Sequence, residues 1–312
     1  MTRILVTGAS GLLGLNFCLQ YAGQHELIGM SHSYPLSGTP FKVLTADLTQ
    51  PDVAAKIITA TGPEMILHCA AAANLEQSEA NPELAWRLNA EVPGEVASAA
   101  RRVGAQMIHI STDTVFDGQT GFYSEMDVPH PLSVYAQSKL AGEQAVAAVN
   151  PDAIIARVNF YGWSASGRRS LAEFFFMNLL AGQLTPGFTD VFFCPLQTHI
   201  LSEILMRMAE LKLNGLFHVV SRESLSKYEF GCRIARLFGL DQDLIRPTTW
   251  RTAGLVAARS PNLNLRTDKL ALALGEPLPD QAAGLERLHS LYQEGYSERI
   301  HQFAPSDCGA GC

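Results

Sequence analysis

An α/β fold, with a doubly wound parallel sheet and a smaller C-terminal α/β lobe, is predicted by three features of the sequence. Short apolar runs alternate with amphipathic helical patterns to about residue 160, an order that builds a parallel sheet covered by helices on both faces. A glycine-rich turn joins the first apolar run to the first helical pattern. The 312 residues are 47% hydrophobic and 17% charged, which gives a globular chain enough apolar surface for a large core.

The elements follow in order. Residues 4–6 (Ile-Leu-Val) read as a strand and residues 12–22 as an amphipathic helix. Residues 26–30 and 42–45 are the second and third strands, 53–61 a helix, and 65–69 a buried strand. A long helical pattern covers 82–103 and a strand covers 106–110; helix and strand recur at 135–149 and 153–158. Beyond this the pattern is less regular. Residues 170–180 form an apolar helix whose Phe174-Phe175-Phe176 run belongs to a core or an interface rather than to a base-stacking platform. Residues 198–211 (helix) and 216–220 (strand) are expected to return to the main sheet. The larger domain is therefore 1–165 with 196–222, and the smaller lobe is 166–195 with 223–312. No internal repeat or low-complexity segment is present.

Charge and cysteine usage exclude several classes. A net charge of −7 argues against broad contact with nucleic acid or an anionic membrane. No apolar run approaches the roughly 20 residues that a spanning helix needs, and no signal peptide is expected ahead of the first strand. Cys18, Cys69, Cys194 and Cys232 fall in apolar runs and read as buried free thiols, while Cys308 and Cys312 sit in a tail expected to fray. No zinc-type spacing occurs, so no metal is expected. The expectation is a cytoplasmic protein, with a homodimer as the default assembly.

The glycine turn is Thr7-Gly8-Ala9-Ser10-Gly11-Leu12-Leu13-Gly14. Gly8 permits the tight turn, Gly11 lets backbone approach a pyrophosphate, and Gly14 allows close packing of helix on strand. The helix N-terminus offers free N–H groups and partial positive charge to phosphates. Strand before and helix after make this a Rossmann-type dinucleotide site, with Ser10, Leu12 and Leu13 in the cofactor set. At the end of the second strand an acidic residue would bind the adenosine ribose and repel a 2′-phosphate. The chain instead reads Ser31-His32-Ser33-Tyr34, so NADP is preferred and NAD use stays open; no arginine stands in that loop. Asp47, next to Leu48, is placed for the adenine amino group or caps the following segment.

Tyr135 and Lys139 are four apart at the start of a helix, hence on one face. An ammonium beside a phenol stabilises phenolate and draws the tyrosine pKa towards working pH. The run Ile110-Ser111-Thr112-Asp113 ends a strand at the carboxyl edge of the sheet, where Thr112 can hold a substrate carbonyl beside Tyr135. Glycine turn, strand-end hydroxyl and Tyr-x-x-x-Lys in this order resemble the extended short-chain dehydrogenase/reductase superfamily.

Within it the chain is most similar to the dTDP-4-dehydrorhamnose reductase family. The similarity rests on residues 109–118 (His-Ile-Ser-Thr-Asp-Thr-Val-Phe-Asp-Gly) and 131–143 (Pro-Leu-Ser-Val-Tyr-Ala-Gln-Ser-Lys-Leu-Ala-Gly-Glu). Cys69-Ala70-Ala71, Asn81-Pro82-Glu83, Asn89 and the late stretch from Arg259 add to it. The resemblance implies that Thr112 polarises the substrate carbonyl, Tyr135 is the acid and Lys139 its partner. It implies cofactor contacts from Cys69, Ala70, Ala71, Ala72, Asn89, Ser111, Tyr135, Lys139, Val158 and Asn159. Substrate contacts would come from Ala73, Thr112, Asp113, Asn159, Phe160 and Arg259. The implied reaction delivers hydride from NAD(P)H to C4 of a nucleotide-linked 4-keto-6-deoxy sugar.

Three departures stand out. Thr114 replaces an aromatic residue after Ser-Thr-Asp, Ser260-Pro261 disturbs the late motif, and Phe188 to Pro195 lacks the family's usual substrate-lobe signature. A dehydratase would carry glutamate at position 114, which disfavours dehydration; an epimerase stays open. A non-catalytic alternative is a regulatory subunit similar to the beta subunit of methionine adenosyltransferase. His68 and His109 read as satisfied core imidazoles, and Arg168-Arg169 as a solvated loop or a diphosphate contact.

Overall fold

Residues 1–252 and 259–304 are described by a computed structural model of the chain. The Cys308–Cys312 tail lies outside the described residues.

The glycine turn separates β1 (Arg3–Thr7) from α1 (Leu12–Tyr21), and β2 (Glu26–Ser31) and β3 (Lys42–Thr45) follow. Next come α2 (Val53–Thr61), β4 (Met65–His68), α3 (Leu75–Ala80) and α4 (Pro82–Trp86). A π-helical stretch at Arg87–Glu91 continues into α5 (Val92–Val103), so the long pattern at 82–103 is helical throughout but widened by one turn in its middle. Then come β5 (Gln106–Thr112), α6 (Val134–Val149) and β6 (Ile154–Val158). The seventh strand of the main sheet is supplied late in the chain.

Short elements fill the next stretch: β7 (Phe160–Tyr161), α7 (Leu171–Leu180), β8 (Thr185–Phe188), β9 (Phe192–Phe193) and β10 (Leu196–Gln197). The chain then returns to the main sheet through α8 (Thr198–Glu210) and β11 (Gly215–Val219). It continues with β12 (Leu225–Ser226), α9 (Lys227–Leu237), β13 (Ile245–Thr248), β14 (Asn262–Leu263), α10 (Asp268–Leu274), α11 (Gln281–Gln293) and α12 (Tyr296–His301).

The main sheet has the order β11-β6-β5-β4-β1-β2-β3, and every pairing in it is parallel. A parallel sheet covered on both faces buries successive side chains on opposite sides. Ile4 and Val6 accordingly join Ile108, Ala156, Phe17 and Leu205 on one face. Leu5 joins Ile66, Met107, Ile155, Val96 and Val146 on the other. The strand order reverses beside β1, between β4 and β2, and ligands of such sheets bind at the carboxyl ends of the strands at this point.

A second core holds the smaller sheets and their helices, with Trp163, Phe175, Phe176, Phe193, Phe230 and Leu288. Phe175 and Phe176 of the Phe174–Phe176 run are buried there, and Phe174 is exposed. Helices α7 and α9 open on capping boxes, Ser170 with Glu173 and Ser226 with Glu229. No helix among the described residues is long and apolar enough to cross a membrane.

Candidate active site

The glycine turn lies at the sheet's switch point because two backbones must cross there. Gly8 has φ +69°, and a Cβ on it would lie 2.7 Å from the Ala70 backbone nitrogen. A side chain is thus excluded twice, by backbone conformation and by the segment leaving β4. Helix α1 begins at Gly11 with no side-chain cap and no acidic residue in its first turn, which leaves its positive end open to an anion. Ser10, Gly11 and Leu12 are partly exposed, while Leu13 packs in the core and can present only backbone.

The loop after β2 and the loop after β4 border this turn. His32 and Ser33 are exposed and hydrogen-bonded to each other, 3.2 Å apart, while Ser31 is buried and its hydroxyl has no partner. Cys69, Ala70, Ala71 and Ala72 are partly exposed along the β4 loop, and Ala73 is exposed at its end. An orphaned hydroxyl, an open helix end and a glycine cradle together fit a dinucleotide with its adenosine ribose over β2.

Two members of the expected cofactor set are differently engaged. Asp47 accepts from the Thr49 hydroxyl at 2.7 Å, the Thr49 backbone at 2.9 Å and Gln50 at 3.0 Å. These bonds, the Thr49 hydroxyl first, hold its carboxyl down to about 2, so the capping alternative describes Asp47. Leu48 is buried in the sheet core.

The second half of the site rises from β5 and α6. Ser133 caps α6 through the Ala136 N–H, which sets Tyr135 and Lys139 on the helix face turned to β5. The Tyr135 phenol lies beside Thr112, whose hydroxyl is 3.0 Å from Thr114 Oγ1 and 3.2 Å from Asp113 Oδ1. Lys139 is fully enclosed and donates to the Ile110 carbonyl at 2.6 Å. Beside them Asp113 accepts from Asn159 Nδ2 at 2.6 Å. Val158 is buried, and Asn159 and Phe160 are partly exposed next to it.

The electrostatics correct one expectation. The phenol of Tyr135 is not drawn down by Lys139; burial pushes it up to about 12, against the lowering effect of Thr112. Burial also brings Lys139 down to about 8, although Glu143 and Cys69 favour its charge. Desolvation of both groups outweighs their proximity. Asp113 is raised to about 6, first by burial, with Asn159 and Thr112 pulling the other way.

Further expectations are corrected by contacts. Ser111 was expected at the cofactor, but its hydroxyl is buried and donates to Glu143 at 2.5 Å. Glu143 in turn holds Arg157 by three bonds of 2.8 to 3.2 Å, with both side chains almost wholly buried. Asn89, also placed at the cofactor, is completely buried; it accepts from Ala72 N at 2.8 Å and donates to the Ala72 carbonyl and to Ser138 Oγ. It fastens the β4 loop to the helix carrying Tyr135 and has no surface left for a ligand. His68 and His109 are buried as read, but they are not satisfied. His68 Nδ1 meets Thr7 Oγ1 at 2.7 Å, whereas His68 Nε2 and both His109 nitrogens have no partner, and the rings stack at 5.4 Å. Burial, with Lys139 as a second cause, keeps both imidazoles neutral.

Arg259 pairs with Glu76 at 2.9 Å, and its Nε is buried without a partner. Lys227, the first residue of α9, is coupled to both Arg259 and Asp113 and is held below the ordinary lysine range by burial. Periodicity could not place Lys227 or Glu143, but the Ser-x-x-Glu signature at Ser226 could have found α9 itself. Gly142 was a further missed position: a Cβ there would collide with the Asn89 carbonyl, at the π-helical turn. Gly142→Ala is expected to destabilise the fold by about 1–3 kcal/mol through a forced backbone shift, read as a lower urea midpoint at unchanged slope.

A parallel sheet with this strand order, a glycine turn at its switch point and Tyr135, Lys139 and Thr112 on one edge define an extended short-chain dehydrogenase/reductase-like protein. The chain belongs to the RmlD substrate binding domain family, which it matches over residues 1–294. It is 33% identical over 297 residues to a probable low-salt glycan biosynthesis reductase of Haloferax volcanii, covering 92% of this chain and 98% of that protein. It is 32% identical over 281 residues to the methionine adenosyltransferase 2 subunit beta of Danio rerio, covering 86% and 84%. Among solved structures, the dTDP-4-dehydrorhamnose reductase of Bacillus anthracis in complex with NADP superposes with TM-score 0.80 at 26% identity, covering 92% and 98%.

Proposed function

We propose that the protein is an NADPH-dependent reductase of a nucleotide-linked 4-keto-6-deoxy sugar, with Tyr135 as the proton donor. The observation that carries this reading is the placing of Thr112, at the end of β5, beside Tyr135, with Lys139 one helical turn further along α6. The glycine turn, the first turn of α1, Ser31 and the Cys69–Ala72 loop would hold the dinucleotide, which supplies hydride when bound. Thr112 and Tyr135 would both point donors at the substrate oxygen, and Tyr135, protonated throughout the neutral range, gives up its proton as charge develops there. Asp113, Asn159, Phe160, Ala73 and Arg259 would line the sugar side.

The reading is tested by adding dTDP-4-keto-6-deoxy sugar and NADPH to the purified chain and following nicotinamide absorbance. Substrate-dependent oxidation supports it. Tight cofactor binding without turnover on any such sugar would instead favour a non-catalytic subunit, as the likeness to the methionine adenosyltransferase 2 subunit beta of Danio rerio allows.

Lys139, whose ammonium would hydrogen-bond the nicotinamide ribose, adds a pH dependence. Its folded pKa of about 8 lies below that of an ordinary lysine, so the ammonium is present below pH 8 and lost above it. Affinity for NADPH should therefore fall as pH rises through about 8, and the fall should vanish in Lys139→Met. Titrations by intrinsic fluorescence across this range decide it; an unchanged slope in the variant refutes the assignment.

A further inference from the structure

We propose that Arg169, carried into the site from the segment before α7, is the residue that selects NADPH by binding the 2′-phosphate of its adenosine ribose. The proposal rests on the cofactor reading above and deepens it.

The loop after β2 has no arginine of its own, yet one stands over it. The Arg169 guanidinium lies 4.8 Å from the centre of the Tyr34 ring, and its NH1 donates to the Ser10 carbonyl at 3.2 Å. It thereby joins the two segments, the β2 loop and the glycine turn, between which a 2′-phosphate would sit. Only one of its five N–H donors has a partner among the described residues, so the fork has bonds left to give an anion. At the end of β2, the Ser31 hydroxyl is buried and has no partner. Within the expected ribose pocket, then, there is an unpaired donor and an under-bonded cation, with no carboxylate in residues 31–34 to oppose them.

The arginine is positioned rather than loose. Glu173 is buried and accepts from the backbone N–H of Arg169 at 2.9 Å, from Ser170 at 3.1 Å, and from Ser164 N and Oγ. This knot is made by Arg169 backbone, so truncating the side chain leaves the anchor intact.

Calorimetric titration of the full chain with NADPH, NADH, 2′,5′-ADP and 5′-AMP separates the alternatives. Arg169→Ala is expected to weaken NADPH and 2′,5′-ADP by about tenfold or more, the scale of a lost charge-assisted bond, and to leave NADH and 5′-AMP within about twofold. Arg169→Lys should fall between, since it keeps charge without the fork. Equal losses for NADPH and NADH would move the contact to the pyrophosphate and overturn the proposal, as would no loss at all. If the unaltered chain binds neither dinucleotide, the cofactor reading falls with it; if it binds both and only the arginine is silent, that reading stands alone.

Discussion

Tyr135→Phe is expected to lower turnover of a keto sugar about 10²–10⁴-fold, the range that a positioned general acid contributes, while cofactor affinity and thermal midpoint stay near their original values. The phenol oxygen is the only heavy atom removed, and the neighbouring Thr112 keeps its bonds to Asp113 and Thr114. Packing is therefore preserved and the chemical step is isolated. A pKa near 12 means that the hydroxyl is almost wholly protonated at neutral pH, which suits reduction and makes the reverse oxidation slow until alkaline pH. Thr112→Val should cost less, on the order of 10²-fold, because one oxyanion donor remains. Steady-state kinetics with cofactor titrations decide the matter. Turnover in Tyr135→Phe close to that of the unaltered chain would remove Tyr135 from the chemistry.

Glu143→Ala should be the most damaging single change to stability, about 3–5 kcal/mol, since it strands a buried guanidinium. Arg157 is almost wholly buried, is held by Glu143 through three bonds and packs 5.0 Å over the Phe116 ring. Ser111 loses its acceptor in the same step. Replacing both partners with methionine should recover much of the loss, because a pair of apolar side chains has no desolvation to offset. Urea titration of the two single variants and the double variant yields the coupling. A single-variant loss below about 1 kcal/mol would show the pair to be solvated, as surface pairs are.

These two residues mark the divide between what could and could not be read in advance. Tyr135 was legible because its signal is local: a four-residue spacing to Lys139 on one helical face. The glycine turn and the strands at β1 to β6 were legible for the same reason, since periodicity two or 3.6 and a turn residue at fixed offset act over a few positions. Strand ends still moved. Helix α6 starts one residue before the predicted 135, and β5 runs on to Thr112 where the pattern stopped at 110, because the last residues of a parallel strand at a site edge are polar. Two-residue strands such as β7, β9 and β14 leave no period to detect.

Sequence alone determined the α/β alternation, the glycine turn and the Tyr-Lys face, all of which arise from contacts between near neighbours. Tertiary structure decided what those parts face. It placed Asn89 against Ala72 rather than a ligand, and closed Glu143 on Arg157 and Ser111. It left His109 buried without partners, and raised the Tyr135 phenol where spacing to Lys139 implied lowering. It also brought Arg169 back across 159 positions to Ser10. Each of these depends on desolvation or on chain segments far apart in sequence, and neither quantity exists until the sheet has formed around them.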